Sequence, residues 1–186
     1  MSPIEIIAVV FGLLCVILTI RQNVWSWPVG LVQVVIYIWV FHEARLYSDV
    51  ILHVIYVVLQ FYGWYQWLYG TRDDGPLVVH RITRRSAVTS VVIAITGITV
   101  LGFVMANYTD ADLPYWDAAI AILSLIAQVF LARKVLESWF VWIIVDFIAI
   151  GVYSVKELHL TAGLYSVFLV LAITGWFTWN RARRRG

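Results

Sequence analysis

Residues 63–67 read GWYQW and residues 175–179 read GWFTW, two glycine-led double tryptophans set 112 positions apart. Sliding the chain by that distance brings Ser26 and Trp27 onto Ser138 and Trp139, Val29 onto Val141, Val40 onto Val152, Leu46 onto Leu158, Leu52 onto Leu164 and Arg21 onto Arg133, without a gap. Apolar helices align by chance, but a Gly followed by Trp-x-x-Trp at one spacing is a far more demanding coincidence. The pattern reads as an internal duplication.

What is duplicated is membrane-like. The 186 residues are 62% hydrophobic and 13% charged, with 10 Trp, 10 Tyr and 9 Phe; a soluble domain carries about a quarter charged residues and cannot hide so much apolar surface in one core. Seven apolar runs, near 3–20, 24–42, 49–69, 86–105, 115–132, 139–155 and 160–180, each approach the ~20 residues that cross a hydrocarbon layer. Lipid cannot satisfy backbone N–H and C=O groups, so runs of this length are helices, and the short alternating segments of a barrel are missing. The expected fold is an all-α membrane protein of seven transmembrane helices. The N-terminal Met1-Ser2-Pro3-Ile4-Glu5 has no basic stretch like that of a cleaved signal, so the first run is expected to be retained. The single Cys15 lies inside that run and reads as a small buried hydrophobe.

The duplication sorts the seven runs into 3+1+3: a first triple-helix bundle over 1–69, a basic loop and linker helix over 70–114, and a second triple-helix bundle with a basic tail over 115–186. Three spans invert the polarity of the chain and the fourth restores it, so the two bundles are expected to be parallel repeats. Eleven basic residues, among them Arg21, Arg81, Arg84, Arg85, Arg133, Lys134, Arg181 and Arg183, fall on one side, whereas only Arg45 and Lys156 fall on the other. The positive-inside rule then puts the N-terminus outside and the C-terminus in the cytoplasm. RARRRG at the C-terminus is read as a topology anchor and not as a nucleic-acid- or lipid-binding tail.

A solute path should show as polar side chains at helical spacing on several spans. His53, Tyr56, Gln60, Trp64 and Trp67 make such a stripe, as do Trp139, Trp142, Asp146, Ala149 and Tyr153, and Tyr165, Leu169, Ala172, Trp176 and Trp179 with Asn180 adjacent. Gln33 with Tyr37 and Ser124 with Gln128 add two more. Buried amides cost a few kcal/mol if unpaired; Gln33, Gln60 and Gln128 serve either as interhelical hydrogen-bond partners or as the lining of a cavity. Asp146, the one carboxylate central to a span, can face a cationic substrate, accept hydrogen bonds between helices or carry its proton. Asp49 and Asp117, at span ends, read as caps or interfacial residues. Trp25 and Trp27 are assigned to the interfacial belt, and Trp64 and Trp176, a turn deeper than Trp67 and Trp179, to ring stacking. No lysine lies inside the last span, no paired aspartates or Ser/His pair share a depth, and no glycine loop for phosphates is present, which speaks against a retinal protein, an intramembrane protease or an ATP-driven pump. The chain is expected to be neither an enzyme nor a user of cofactors or metals.

Trp27-Pro28-Val29-Gly30 through Gln33, Leu46-Tyr47-Ser48-Asp49, the 63–67 stretch, Leu160-Thr161-Ala162-Gly163-Leu164-Tyr165 and Trp176 through Asn180 together resemble the PnuC family of nicotinamide riboside (vitamin B3) transporters, over nearly the whole chain. The resemblance implies a fold similar to SWEET transporters, a homotrimer in the lipid of a bacterial inner membrane, and facilitated diffusion by alternating access, with the two bundles rocking around a central site. Cytoplasmic phosphorylation would then trap the riboside for NAD biosynthesis. It also implies that Trp176, Trp179 and Asn180 bind the substrate. The stripes extend the set to Gln60, Trp64, Gln128, Asp146, Tyr165, Gln33, Tyr37 and Tyr153: tryptophan faces suit a pyridinium, and amides suit a carboxamide and ribose. Two other readings stay open, a SWEET-like uniporter for a different small neutral solute and a non-transporting receptor or assembly subunit.

Overall fold

The computed structural model describes residues 3–43, 47–72 and 75–185; Arg45, Leu46 and the side chains of Asp49 and Arg72 lie outside the described residues. Among the described residues seven helices follow one another: α1 (Pro3–Ile20), α2 (Ser26–Glu43), α3 (Tyr47–Tyr69), α4 (Arg84–Tyr108), α5 (Pro114–Ala132), α6 (Ser138–Val155) and α7 (His159–Arg183). Five of these, α1, α4, α5, α6 and α7, are long and apolar enough to cross a membrane. The remaining two, α2 and α3, are of comparable length, with 18 and 23 residues, and carry more polar side chains, including Gln33, His53, Gln60 and Gln66.

The chain forms two compact units, one up to Val78 and one from Val79 to Arg185. In the first, α2 packs against both α1 and α3; in the second, consecutive helices pack from α4 to α7. The linker helix α4 therefore lies against α5, where Gly97 and Gly102 let the helices approach: a Cβ at Gly97 would sit 3.2 Å from Ile122, and one at Gly102 would enter the Tyr115 ring. Small residues at a contact are how helices associate where lipid removes the hydrophobic drive. Gly102 is the one buried residue among those described for α4; the others are half-buried or exposed. Thr83 caps it, its hydroxyl accepting the Ser86 N–H at 3.3 Å, which satisfies one of the orphan donors of the first turn.

The turns between helices are tight and specified. After α1 the chain enters the left-handed region at Gln22 (φ 53°), and the Gln22 N–H donates to Thr19 O (2.9 Å) while the Asn23 N–H donates to Leu18 O (2.9 Å). This is a Schellman termination, in which the 6→1 and 5→2 bonds use up the last carbonyls of the helix. After α5 the same geometry recurs 112 residues on: Lys134 has φ 53°, its N–H donates to Leu131 O (3.0 Å), and the Val135 N–H donates to Phe130 O (2.9 Å). Partial burial in this turn holds the Lys134 amine below the usual lysine range. Glu157 (φ 58°) ends α6 in the same manner, with the Leu158 N–H on Tyr153 O at 2.8 Å.

Each unit contains an edge-on tryptophan pair. In the first, Trp27 is 2% exposed and meets Trp67 edge-on, centroids 5.4 Å apart; Gly63 leaves the slot that the Trp27 ring fills. In the second, Trp139 meets Trp179 at 5.4 Å and 87°, and a Cβ at Gly175 would lie 2.5 Å from the Trp139 ring. The expectation that Trp27 is an interfacial belt residue is therefore corrected: it is a core side chain, because Gly63 on α3 makes room for it. Trp25, 65% exposed, has the exposure of a belt residue.

The stretch 70–85, read from sequence as plain loop, is partly ordered. Thr71–Arg72 and Gly75–Pro76 pair as a two-residue antiparallel ribbon. Beyond it His80 lies along the α5–α6 turn: its N–H donates to Lys134 O (3.1 Å) and its carbonyl accepts the Leu136 N–H (2.8 Å). Glu137 secures the crossing, accepting from Arg81 Nε at 3.1 Å and from the Ile82 N–H at 2.8 Å. At the other end of the same hairpin, Lys156 Nζ donates to both Asp117 oxygens, at 3.0 and 2.8 Å, so Asp117 is the ion-pair partner of Lys156.

Candidate functional site

In the second unit the proposed α7 residues divide into two kinds. Trp179 is fully buried against Trp139, so its ring is already occupied by its own bundle. Trp176 and Asn180, four apart and so on one face of α7, are both half-buried. The Trp176 ring is 6.4 Å from Phe140, and Asn180 Oδ1 accepts from Arg183 Nη2 at 3.3 Å, leaving the Asn180 amide N–H groups for another acceptor. Toward the far end of the same helix Tyr165 stacks on Tyr153 (5.3 Å, 30°) and meets Phe168 edge-on at 6.0 Å.

Inside the bundle sit Ser124, Gln128 and Asp146, 5%, 8% and 3% exposed. The ring contacts fix the register of α6 against α7: Trp139 is level with Trp179 and Tyr153 with Tyr165. Asp146 lies midway between Trp139 and Tyr153, and so comes level with Ala172, itself buried. That methyl offers no donor. Neither Gln128 nor Asp146 is held by a hydrogen bond or ion pair among the described residues.

The first unit presents its polar residues differently. Gln60 is 6% exposed and lies over Gly30, where a Cβ would stand 2.6 Å from Gln60 Nε2 and 2.9 Å from Cys15 Sγ; Gln60 Oε1 is buried with no hydrogen-bond partner. Gln33 occupies the equivalent gap over Gly12, 2.7 Å from a Cβ there. Cys15, expected to act as a plain hydrophobe, donates its thiol to Ser26 O at 3.2 Å. Tyr37, Phe41, His53 and Tyr56 form a continuous ring cluster, with Phe41 to His53 the closest at 4.9 Å. Trp64, 112 residues before Trp176, is half-buried like it.

The structure thus brings Gln60 and Gln33 onto α2 and α1, Tyr153 onto Tyr165, and Trp176 and Asn180 onto one helix face. Sequence reasoning missed Gly12 and Gly30, whose lack of a side chain admits the amides, and Phe41, which completes the ring cluster. The spacing of Gly30 from Trp27, inside an aligned motif, was the available signal. Among the described residues no group of three His, Cys, Asp or Glu side chains could hold a metal ion.

Residues 2–181 match the family described as "Nicotinamide mononucleotide transporter". The nicotinamide riboside transporter PnuC of Escherichia coli K12 is 24% identical, over 100% of this chain and 89% of its own length. The riboflavin/roseoflavin transporter RibM of Streptomyces davaonensis is also 24% identical, over 97% of this chain and 86% of its own. A crystal structure of the vitamin B3 transporter PnuC superposes with a TM-score of 0.76 at 24% identity, covering 96% of this chain and 81% of that one; it shares the fold.

Proposed function

This chain belongs to the PnuC family of nicotinamide riboside transporters, and from that premise we propose that it carries nicotinamide riboside across a bacterial inner membrane by uniport. The observation that carries the reading is the set of buried polar side chains, Gln60, Gln128 and Asp146, that their own bundles leave without partners. Groups of this kind are costly in an apolar interior and are accounted for by a polar solute that visits them. Trp176 offers a ring face to the pyridinium, Asn180 and the glutamines offer donors and acceptors to carboxamide and ribose, and Asp146 offers a counter-charge. Gln33, Tyr37, Trp64, Tyr153 and Tyr165 complete the proposed lining, with Trp179 fixing the helix that bears Trp176.

In the proposed layout all seven helices span the membrane as 3+1+3 parallel repeats, N-terminus outside and C-terminus in the cytoplasm, in a homotrimer. The recurrence of the tryptophan joint and Schellman turn 112 residues apart supports the repeat, and the excess of arginine on one side supports the orientation. Access alternates without coupling to an ion, and phosphorylation in the cytoplasm traps the product. Arg and Lys occur only near helix ends and in the connections between helices, so a mononucleotide phosphate finds no cation inside; the riboside named for the relatives fits better than the mononucleotide in the family description.

A second reading is favoured by RibM, which matches over nearly the whole chain: a flavin also joins a flat ring to a polyol. Calorimetric titration of the purified protein with the riboside, nicotinamide, a pentose, the mononucleotide and riboflavin separates the two. Micromolar binding of the riboside alone is expected. Binding of riboflavin alone would replace the substrate, and no heat from any of them with a folded sample would overturn the reading.

A further inference from the structure

Between α4 and α5, at the end where α4 begins, lies a groove of about 440 Å³. Arg85 of α4 and Arg133, the residue that follows α5, stand in its wall with the hydroxyl side chains Ser86 and Ser90, and Ile93 and Phe130 supply apolar surface. Among the described residues its wall carries no acidic side chain and the first turn of α4 contains none; the Glu137 carboxylate lies just before that turn, where it accepts the Ile82 N–H. We propose that this groove binds the phosphodiester headgroup of an anionic phospholipid.

The chemistry is graded along α4 as a phospholipid is. Arginine and serine come first, within the first two turns, and Ile93 lies one turn further in. A guanidinium from α4 and one from the turn that follows α5 stand in one wall and carry N–H donors suited to phosphate oxygens, and the serines add single donors. Both helices are long and apolar enough to cross a bilayer, which places their ends at headgroup depth. Outside the groove α4 continues as an exposed aliphatic face, with Val88, Val91, Val92 and Ile95 all more than half exposed, a surface suited to acyl chains. A free anion would use the arginines and leave the apolar wall without a partner. Among the described residues the first unit holds three helices, α1 to α3, and so no counterpart of α4.

Native mass spectrometry of the full-length protein, released from micelles containing equal phosphatidylglycerol and phosphatidylcholine, tests this. Retention of phosphatidylglycerol over phosphatidylcholine by about tenfold is expected, with loss of that preference in an Arg85→Gln, Arg133→Gln double variant. Ser90→Leu, which fills the groove and leaves both charges, should abolish it as well, whereas Arg184→Gln with Arg185→Gln, in the C-terminal tail, should keep it. Equal retention of both lipids, a preference that survives both groove variants, or displacement of the lipid by millimolar glycerol 3-phosphate would overturn the proposal, the last by showing a site for soluble anions.

Discussion

In the proposed site the Trp176 ring and the Asn180 amide touch the solute directly, whereas Trp179, buried against Trp139, acts through the position of the helix. Trp176→Ala or Asn180→Ala should therefore weaken riboside binding about tenfold or more in calorimetric titration, while Trp25→Ala should change it by less than about threefold. Glycines give a second contrast. At Gly63 and Gly175 a methyl would enter an indole ring, so Gly63→Ala and Gly175→Ala should destabilise by about 1–3 kcal/mol, exceeding the helix-propensity gain. Gly151, with nothing within 4 Å of an added Cβ, should gain about 0.5–1 kcal/mol on mutation to Ala. Thermal melting in detergent measures both, and a destabilised Gly151→Ala beside an unaffected Gly63→Ala would contradict the packing. Trp27 shows why residue roles are less legible than helices: hydropathy places it at a membrane interface beside Trp25, and only its glycine partner, 36 residues away, sends one ring inward and the other out.

Helix boundaries followed closely from the apolar runs, because each run ends where arginine, proline or a turn-forming pair interrupts it. The ribbon at 71–76 and the crossing of His80 over the α5–α6 turn were not readable, since pairings of one or two residues leave no periodic trace in the sequence. Glu137 holds that crossing through one partly exposed ion pair and one backbone hydrogen bond. The ion pair alone adds little, so Glu137→Ala should leave global stability within about 1 kcal/mol. It should instead speed amide exchange at His80 and Ile82 selectively, as local opening is released. Unchanged exchange there would mean that the backbone pairing with Lys134 and Leu136 suffices by itself.

For the molecule as a whole, the proposed duplication is read from two motifs that share one offset with no gap, whereas the pairing of Gln60, Gln128 and Asp146 was not legible, because partners across helices depend on register. The proposed orientation has a direct check. In a Cys15→Ser background, Asp112→Cys should react with a membrane-impermeant maleimide on intact cells, and Arg185→Cys only after the membrane is opened; the reverse pattern would invert the topology. The Schellman turn after α1 bears on biogenesis. It is closed by bonds within residues 18–23, so α1 and α2 can fold back on each other as a helical hairpin while α3 is still in the ribosome, and enter the bilayer as one unit. Substitutions at Gln22 or Asn23 would then show up first as chains that the insertion machinery discards, and only afterwards as a defect in any molecule that reaches the membrane.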